Sequence, residues 1–447
     1  MNDPGRLDSL HVAYTYFPDP SGGTEIYVRG LAQELRARGH RAAVAAPASV
    51  TTAYEESGLP IYRFESNTQP RLDLAYGATD EIAAASFRTI VEKTKPRIVH
   101  LHARTAAVSE SVIDIAHASR AAVIFTYHTP TASCVRGTMM LFGVVPCDGR
   151  IATKRCTACG ISALGVSRPV ARLIAAAPVA LSSLAIKLKS NSKLSSALRI
   201  PGLMISEQRR FLAFIAKIDH IIAVSQWVND VLIRNAVPAE KITLSRQGID
   251  VSGTSPQCPP TRDRTGSLKI GYFGRIGWAK GPDLLGRALS TIPDVDVQID
   301  VFAIRASAGL DRDYAHLEEQ ARNDRRLRLH AAVAPEKVLG RMADYDLIAI
   351  PSRWLETGPL VALEASAANV PVLGANLGGI AELVRNRIDG ILLPPDDPKA
   401  WGQAIKELAG DRSVIERLRA QINPPRTLAD TAGDMIKIYT KVAARCQ

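Results

Sequence analysis

Apolar residues along this chain follow two rhythms that take turns. Runs in which nearly every position is apolar, at 10–17, 42–46, 98–101 and 121–126, read as strands buried on both faces. Between them, apolar residues spaced three and four apart at 26–38, 79–93 and 106–118 predict helices with a single apolar stripe. Gly39 is placed to end the first of these. Strand and helix in alternation imply a parallel sheet covered by helices, and so an α/β chain. The rhythm breaks near 130 and resumes with HIIAVS at 220–225, where Ser225 is suited to cap a helix over 226–235. A second set of strands is expected at 268–276, 297–302, 327–330, 347–350, 372–374 and 391–393, and a last helix at 427–444. Between the two sets, SGTSPQCPPTRDRTGS at 252–267 is rich in Pro, Ser, Thr and Gly and reads as an interdomain linker. With 447 residues, more than one core is expected.

Two stretches depart from the alternation. Residues 134–160 hold four of the six cysteines, Cys134, Cys147, Cys156 and Cys159, the last two as C-x-x-C. The N-terminus, MNDPGRLDSL, lacks the apolar core of a signal peptide, which points to the cytoplasm and to reduced thiols. There, clustered cysteines favour a tetrahedral metal site, structural zinc ahead of an iron–sulfur cluster, with unmetallated thiols or a redox pair left open. Cys258 and Cys446 lie apart and read as ordinary residues. Residues 161–219 then carry nine Lys or Arg against Glu207 and Asp219, a local balance of +7. They read either as a basic amphipathic segment lying on an anionic membrane or as a helical insertion with a solvated basic face. The apolar run 173–186 contains Pro178 and two serines and is shorter than the roughly 20 residues a membrane span needs.

The net charge of +11 suggests acidic partners: nucleotides, nucleic acid or anionic lipid. Aromatics are only 5%, with no basic stretch interleaved among them, so nucleic acid is set aside.

Candidate chemistry gathers where strands end. PDPSGGTE at 18–25 joins a strand to a helix through Gly22 and Gly23, a turn whose backbone N–H groups can approach an anion. VHLHA places His100 and His102, and FTYHT places His128, at two further strand ends. In GRIGWAKG at 274–281, Arg275 and Lys280 stand beside a helix start, two cations suited to a diphosphate. The spacing is neither a Walker loop nor a dinucleotide fingerprint. PSRWLETGPLVALEAS at 351–366 brings Glu356 in a loop and Glu364 in a helix that Pro359 would open. NLGGIAELV at 376–384 offers a second glycine-to-helix turn able to hold an anion.

In order, GGTE, YHT, GRIGWAKG, ETGPLVALE, GGIAELV and DGILLPPDDP resemble the retaining glycosyltransferases of family 4, over most of the chain except about 131–215. The resemblance implies a GT-B fold, two Rossmann-like domains facing across a cleft, with the Cys-rich, helical insertion in the first. The domains would be 1–250, a linker 251–267, a donor domain 268–426, and a helix 427–447 returning to the first domain. Arg275 and Lys280 would hold the diphosphate of a UDP- or GDP-linked sugar, and Glu364 the ribose. Glu356 would lie against the transferred sugar, with Thr357, Gly358, Pro359 and Leu360 nearby. Gly22 and Gly23 would close on the donor, and His128 would sit near the reacting centre. The family uses no catalytic metal or other cofactor. The acceptor would be a glycan or lipid-linked glycan of cell-surface polysaccharide assembly, met at the inner face of the membrane. The alternatives are a sugar-nucleotide-binding protein without catalysis and a glucan- or sucrose-type synthase with a soluble acceptor. Arg246-Gln247-Gly248, where the family often has Asn-Gly, and LHAAVAPEK, which lacks a glycine common before the helix, depart from the pattern near the expected base contacts.

Overall fold

A computed structural model describes residues 6–19, 22–67, 72–76, 78–176, 193–251, 266–304 and 311–444, without the side chains of 72, 193–198, 304 and 311. Most of the linker and the run 177–192 therefore lie outside the described residues. The chain forms two compact units, Met1–Arg246 with Leu428–Gln447, and Gln247–Thr427.

In the first unit, eight strands make one sheet: β1 (Ser9–Val12), β2 (Ala42–Ala48), β3 (Thr52–Glu56), β4 (Leu59–Glu65), β5 (Ile98–Leu101), β6 (Ala122–Tyr127), β9 (His220–Ala223) and β10 (Ile242–Leu244). Their order is β10-β9-β6-β5-β1-β2-β4-β3. Pairing is parallel throughout except between β3 and β4. The β3–β4 hairpin is absent from the periodicity because β3 is a largely exposed edge strand. Its turn carried a local cue, however: Ser57 and Gly58 both have positive φ, as a tight hairpin requires. β1 ends earlier than its apolar run, although the Ala13 N–H still donates to the Ala45 carbonyl at 3.0 Å.

Leu10, Val12, Val99, Leu101, Val123 and Phe125 form the centre of the core, with Phe87, Val112 and Phe214 packed on them. The helix Leu428–Ala443 belongs to this unit. It lies so close to the helix Gly23–Ala37 that a Cβ on Gly30 would come within 2.3 Å of the Leu428 side chain. After β6 the chain makes its excursion: a short hairpin of β7 (Met140–Leu141) and β8 (Val145–Pro146), then the helices Thr153–Ala163, Arg168–Ala176 and Lys193–Lys217.

The second unit is a six-stranded, all-parallel sheet, ordered β13-β12-β11-β14-β15-β16. Its strands are β11 (Leu268–Arg275), β12 (Val297–Ile304), β13 (Leu327–Ala331), β14 (Leu347–Ile350), β15 (Val372–Ala375) and β16 (Gly390–Leu393). In each sheet the winding reverses at one place, at β1–β5 and at β11–β14. There the two neighbouring strands send their chains to opposite sides and leave a crevice at their carboxyl ends, where α/β sheets hold ligands.

Candidate active site

At the β11–β14 crevice two loops have to approach closely, and a glycine allows it. Gly281 has φ +67°, and a Cβ there would lie 2.3 Å from the Pro351 carbonyl oxygen. The Arg353 N–H reaches the Ala279 carbonyl at 2.8 Å, zipping the two loops together. Lys280 Nζ is thereby brought 2.7 Å from Glu356 Oε1, which also accepts from Ser352 Oγ at 2.8 Å. Glu356 is only 6% exposed, so losing a partner there leaves a poorly solvated group. Trp354 lies under the ammonium, 5.5 Å from ring centroid to Nζ. Arg275, at the end of β11, is exposed and forms no ion pair among the described residues.

Arg353 is the framework of this crevice. It is buried and donates to both Asp283 oxygens at 2.8 and 2.6 Å, to Asp396 at 2.9 Å and to the Trp278 carbonyl at 3.1 Å. The sequence offered little to distinguish it from any surface arginine. Its partners are 70 and 43 residues away.

Pro359 stands as the N-cap, one residue before the helix Leu360–Ala367, instead of as its first residue. Glu364 lies within that helix. Its carboxyl group has no hydrogen-bond or ion-pair partner among the described residues, and desolvation pushes its pKa up to about 7. Two solvated surface acids are therefore not what the loop and helix present.

The glycine pair Gly378–Gly379 was expected to cradle an anion. Instead, the Gly379 N–H donates to the Glu356 carbonyl at 2.6 Å, and a Cβ on Gly379 would lie 2.6 Å from the Thr357 carbonyl oxygen. These glycines seat the backbone of the Glu356 loop.

In the first unit, Gly22 caps the helix Gly23–Ala37, and its N–H donates to Glu25 Oε2 at 2.8 Å. The buried Glu25 carboxylate already complements this helix N-terminus, so the Gly22 amide is engaged within the chain. His128 follows β6, buried, with Tyr27 against its ring at 5.0 Å between centroids. It ends a chain of rings. Ser9 Oγ lies 3.1 Å from His11 Nε2, His11 Nδ1 lies 3.0 Å from His102 Nε2, and His102 Nδ1 lies 3.0 Å from His128 Nε2. His100 bonds Tyr439 Oη at 2.6 Å and Thr126 Oγ1 at 2.7 Å. His11, His100 and His102 have ring nitrogens within 4.8 Å of one another, as metal ligands would. Both nitrogens of each ring are already taken by partners, which makes this a satisfied polar network. Burial lowers all four, His11 and His128 to about 3, so they are neutral at physiological pH. The four cysteines of the excursion line one cavity.

These two sheets recur in solved structures. The chain is similar to Anabaena HepE in complex with UDP and glucose, with a TM-score of 0.65 at 15% identity over 97% of this chain and 100% of that one. It is also similar to sucrose-phosphate synthase of Thermosynechococcus elongatus, with a TM-score of 0.68 at 18% identity over 98% and 100%. The fold is that of the GT-B glycosyltransferases, two parallel-sheet α/β domains. The family described as Glycosyltransferase Family 4 matches residues 21–168, and that described as Glycosyl transferases group 1 matches residues 267–411. Together they cover well over half of the sequence, and the chain belongs to glycosyltransferase family 4. Curated relatives include D-inositol 3-phosphate glycosyltransferases. That of Xylanimonas cellulosilytica is 27% identical over 57% of this chain and 65% of its own length. That of Jonesia denitrificans is 30% identical over 47% and 54%. The chain spans about half the length of the curated relatives it matches.

Two measurements check this geometry. Lys280→Ala removes the cation that meets the buried Glu356, so the second unit should lose about 1–3 kcal/mol in urea unfolding. Lys280→Ala combined with Glu356→Gln should recover part of that loss, and strict additivity would show the pair to be uncoupled. The histidines predict a pH dependence. Their folded pKa values lie below the usual 6.5 or so, so the unfolded chain takes up protons first as pH falls. The first unit should be fully supported above pH of about 6.5 and lose stability towards pH of about 3, by up to about 1.4 kcal/mol per pH unit for each such histidine. A flat profile between pH 7.5 and 5 would contradict a neutral cluster.

Proposed function

We propose that the protein is a retaining glycosyltransferase that moves a sugar from a UDP- or GDP-linked donor to a glycan or lipid-linked glycan acceptor. The observation that carries this reading is the crevice of the second unit. A lysine shared with a buried carboxylate, an unpaired arginine, and an unpartnered carboxyl group on a neighbouring helix together suit a nucleoside diphosphate sugar.

Lys280 and Arg275 receive the diphosphate, Arg275 as a two-pronged donor and Lys280 as a point charge. Glu364 accepts hydrogen bonds from the ribose hydroxyls. Glu356 and the backbone at Thr357, Gly358, Pro359 and Leu360 adjoin the sugar. Gly22, Gly23 and His128 belong to the acceptor-bearing unit, where His128 serves as a neutral hydrogen-bonding group. As the sugar–phosphate bond breaks, negative charge grows on the leaving diphosphate and the two cations stabilise it. The acceptor oxygen forms its bond on the face the diphosphate leaves, and its proton passes to a departing phosphate oxygen.

For the acceptor, support for a lipid-linked glycan comes from the helix Arg168–Ala176. It exposes Val170 (48%) and Leu173 (74%), beside Arg168 and Arg172. No helix among the described residues is long and apolar enough to cross a membrane, so the reading is of peripheral contact at the cytoplasmic face. Lys187 and Lys189, part of the basic run, lie outside the described residues. A second reading, a small phosphorylated acceptor, is favoured by the similarity to D-inositol 3-phosphate glycosyltransferases. Transfer assays with D-inositol 3-phosphate and with lipid-linked glycan in anionic vesicles separate the two.

A thermal-shift panel of UDP, GDP and ADP tests the donor site. One nucleoside diphosphate should raise Tm by linkage, and Lys280→Ala should weaken its binding roughly ten- to hundredfold. Equal binding by that variant overturns the assignment. Because only the ionised Glu364 accepts both ribose hydroxyls, affinity for the nucleotide sugar should rise with pH up to about 7 and then level off. Glu364→Gln should flatten that dependence, since the diphosphate diester itself does not titrate near neutrality.

A further inference from the structure

The excursion after β6 has a cavity lined by its own residues. We propose that Cys134, Cys147, Cys156 and Cys159 are the four ligands of a single structural zinc ion that holds this excursion together.

The cysteines come from three separate pieces of chain. Cys134 lies in the loop after β6, and Cys147 directly follows the β7–β8 hairpin. Cys156 and Cys159 sit three apart, on one side of the helix Thr153–Ala163. All four thiols are free, and all four line one cavity of ≈ 30 Å³. A set of four thiolates closes the coordination sphere, which makes the site structural and not catalytic.

The backbone around the sulfurs is arranged as metal-bound thiolates require. The Phe142 N–H lies 3.1 Å from Cys159 Sγ, and the Ala152 N–H 3.5 Å from Cys156 Sγ. The Gly149 amide hydrogen-bonds Cys147. Three of the four sulfurs thus accept a main-chain N–H, a contact that fixes the direction of the ligand. Phe142 and Gly149, two of these donors, have positive φ. Four thiolates around one divalent zinc leave a double negative charge. Arg150 and Arg155 line the same cavity, and Arg136 donates to the Cys159 carbonyl at 3.4 Å.

Among its described residues the apolar cluster centres on Ile161, Ala171 and Met204, and Val144 and Val145 are exposed. No three of the sulfurs lie within 4.8 Å of one another. Binding therefore draws the loop, hairpin and helix inwards, to about 3.8 Å between sulfurs for Zn–S bonds of about 2.3 Å. The loop so fixed carries His128 at its start. Tyr127 Oη is 2.5 Å from Ser133 Oγ, and Arg104 donates to the Ala132 carbonyl at 3.1 Å, so a shift at Cys134 is felt beside His128.

The test is elemental analysis of the full chain, purified under reductant from medium holding both zinc and iron. The expected result is about one zinc per chain, released by a thiol-specific mercurial and read with a chromogenic chelator. Cobalt-exchanged protein should show the visible bands of a tetrahedral four-thiolate centre. Cys147→Ser and Cys156→Ser should each weaken zinc retention at least tenfold, whereas Cys258→Ser should leave one zinc bound. Three results would overturn the proposal: wild-type protein that holds no zinc and melts at the same temperature with chelator present, iron accompanied by acid-labile sulfide, or a metal-free Cys156–Cys159 disulfide. If the serine variants do not fold, the cobalt spectrum of the wild type decides.

Discussion

The contact on which the second unit's crevice depends is the ion pair between Lys280 and Glu356. A carboxylate as buried as Glu356 is costly to bury without a cation and donors against it, and here Lys280 and Ser352 meet it. That meeting requires the loops after β11 and β14 to touch. The touch requires a residue without Cβ at Gly281 and the clamp that Arg353 makes on Asp283 and Asp396. The Gly378–Gly379 pair then holds the Glu356 backbone from the other side. Four short segments of chain, none organised alone, thus fix one lysine in a place where an anionic ligand would meet it.

The first unit solves a different problem: four histidines at the centre and carboxyl ends of a buried sheet. Register sets His11 directly beside His100, and His102 and His128 extend the line at the ends of β5 and β6. Buried imidazoles are stable only when both nitrogens are matched, one donating and one accepting. In a chain of rings each choice of tautomer dictates the next, so the hydrogen bond at Ser9 influences which nitrogen of His102 carries the proton towards His128. Tyr439, from the last helix, completes His100. The end of the chain is thereby part of the polar core of the first unit, as well as a packing partner for the helix Gly23–Ala37.

The excursion between β6 and β9 obeys neither scheme. Among its described residues it has a two-stranded hairpin and an apolar cluster centred on Ile161, Ala171 and Met204, and the Arg104–Glu207 ion pair ties the helix Lys193–Lys217 to the loop after β5. It joins the sheet through the loop that begins at His128, so its order and the shape of that strand end are linked.

The sequence by itself determined the alternation of strand and helix, the β11–β16 strands nearly to the residue, the break near 130 and the grouping of the cysteines, because burial on both faces or one stripe is written into local spacing. The family was legible too, since GRIGWAKG and ETGPLVALE are contiguous in the chain. Tertiary structure decided the rest. Local pattern could not show that Lys280 pairs with Glu356, that Glu25 already occupies the Gly22 amide, or that Gly378 and Gly379 seat a loop. Nor could it show that Arg353, an unremarkable arginine by sequence, is buried in a web of carboxylates. Each of these depends on how closely two backbones approach or on which side chains finally meet. Those are properties of register and packing between segments tens of residues apart, such as the 76 that separate Lys280 from Glu356, and no periodicity within either segment encodes them.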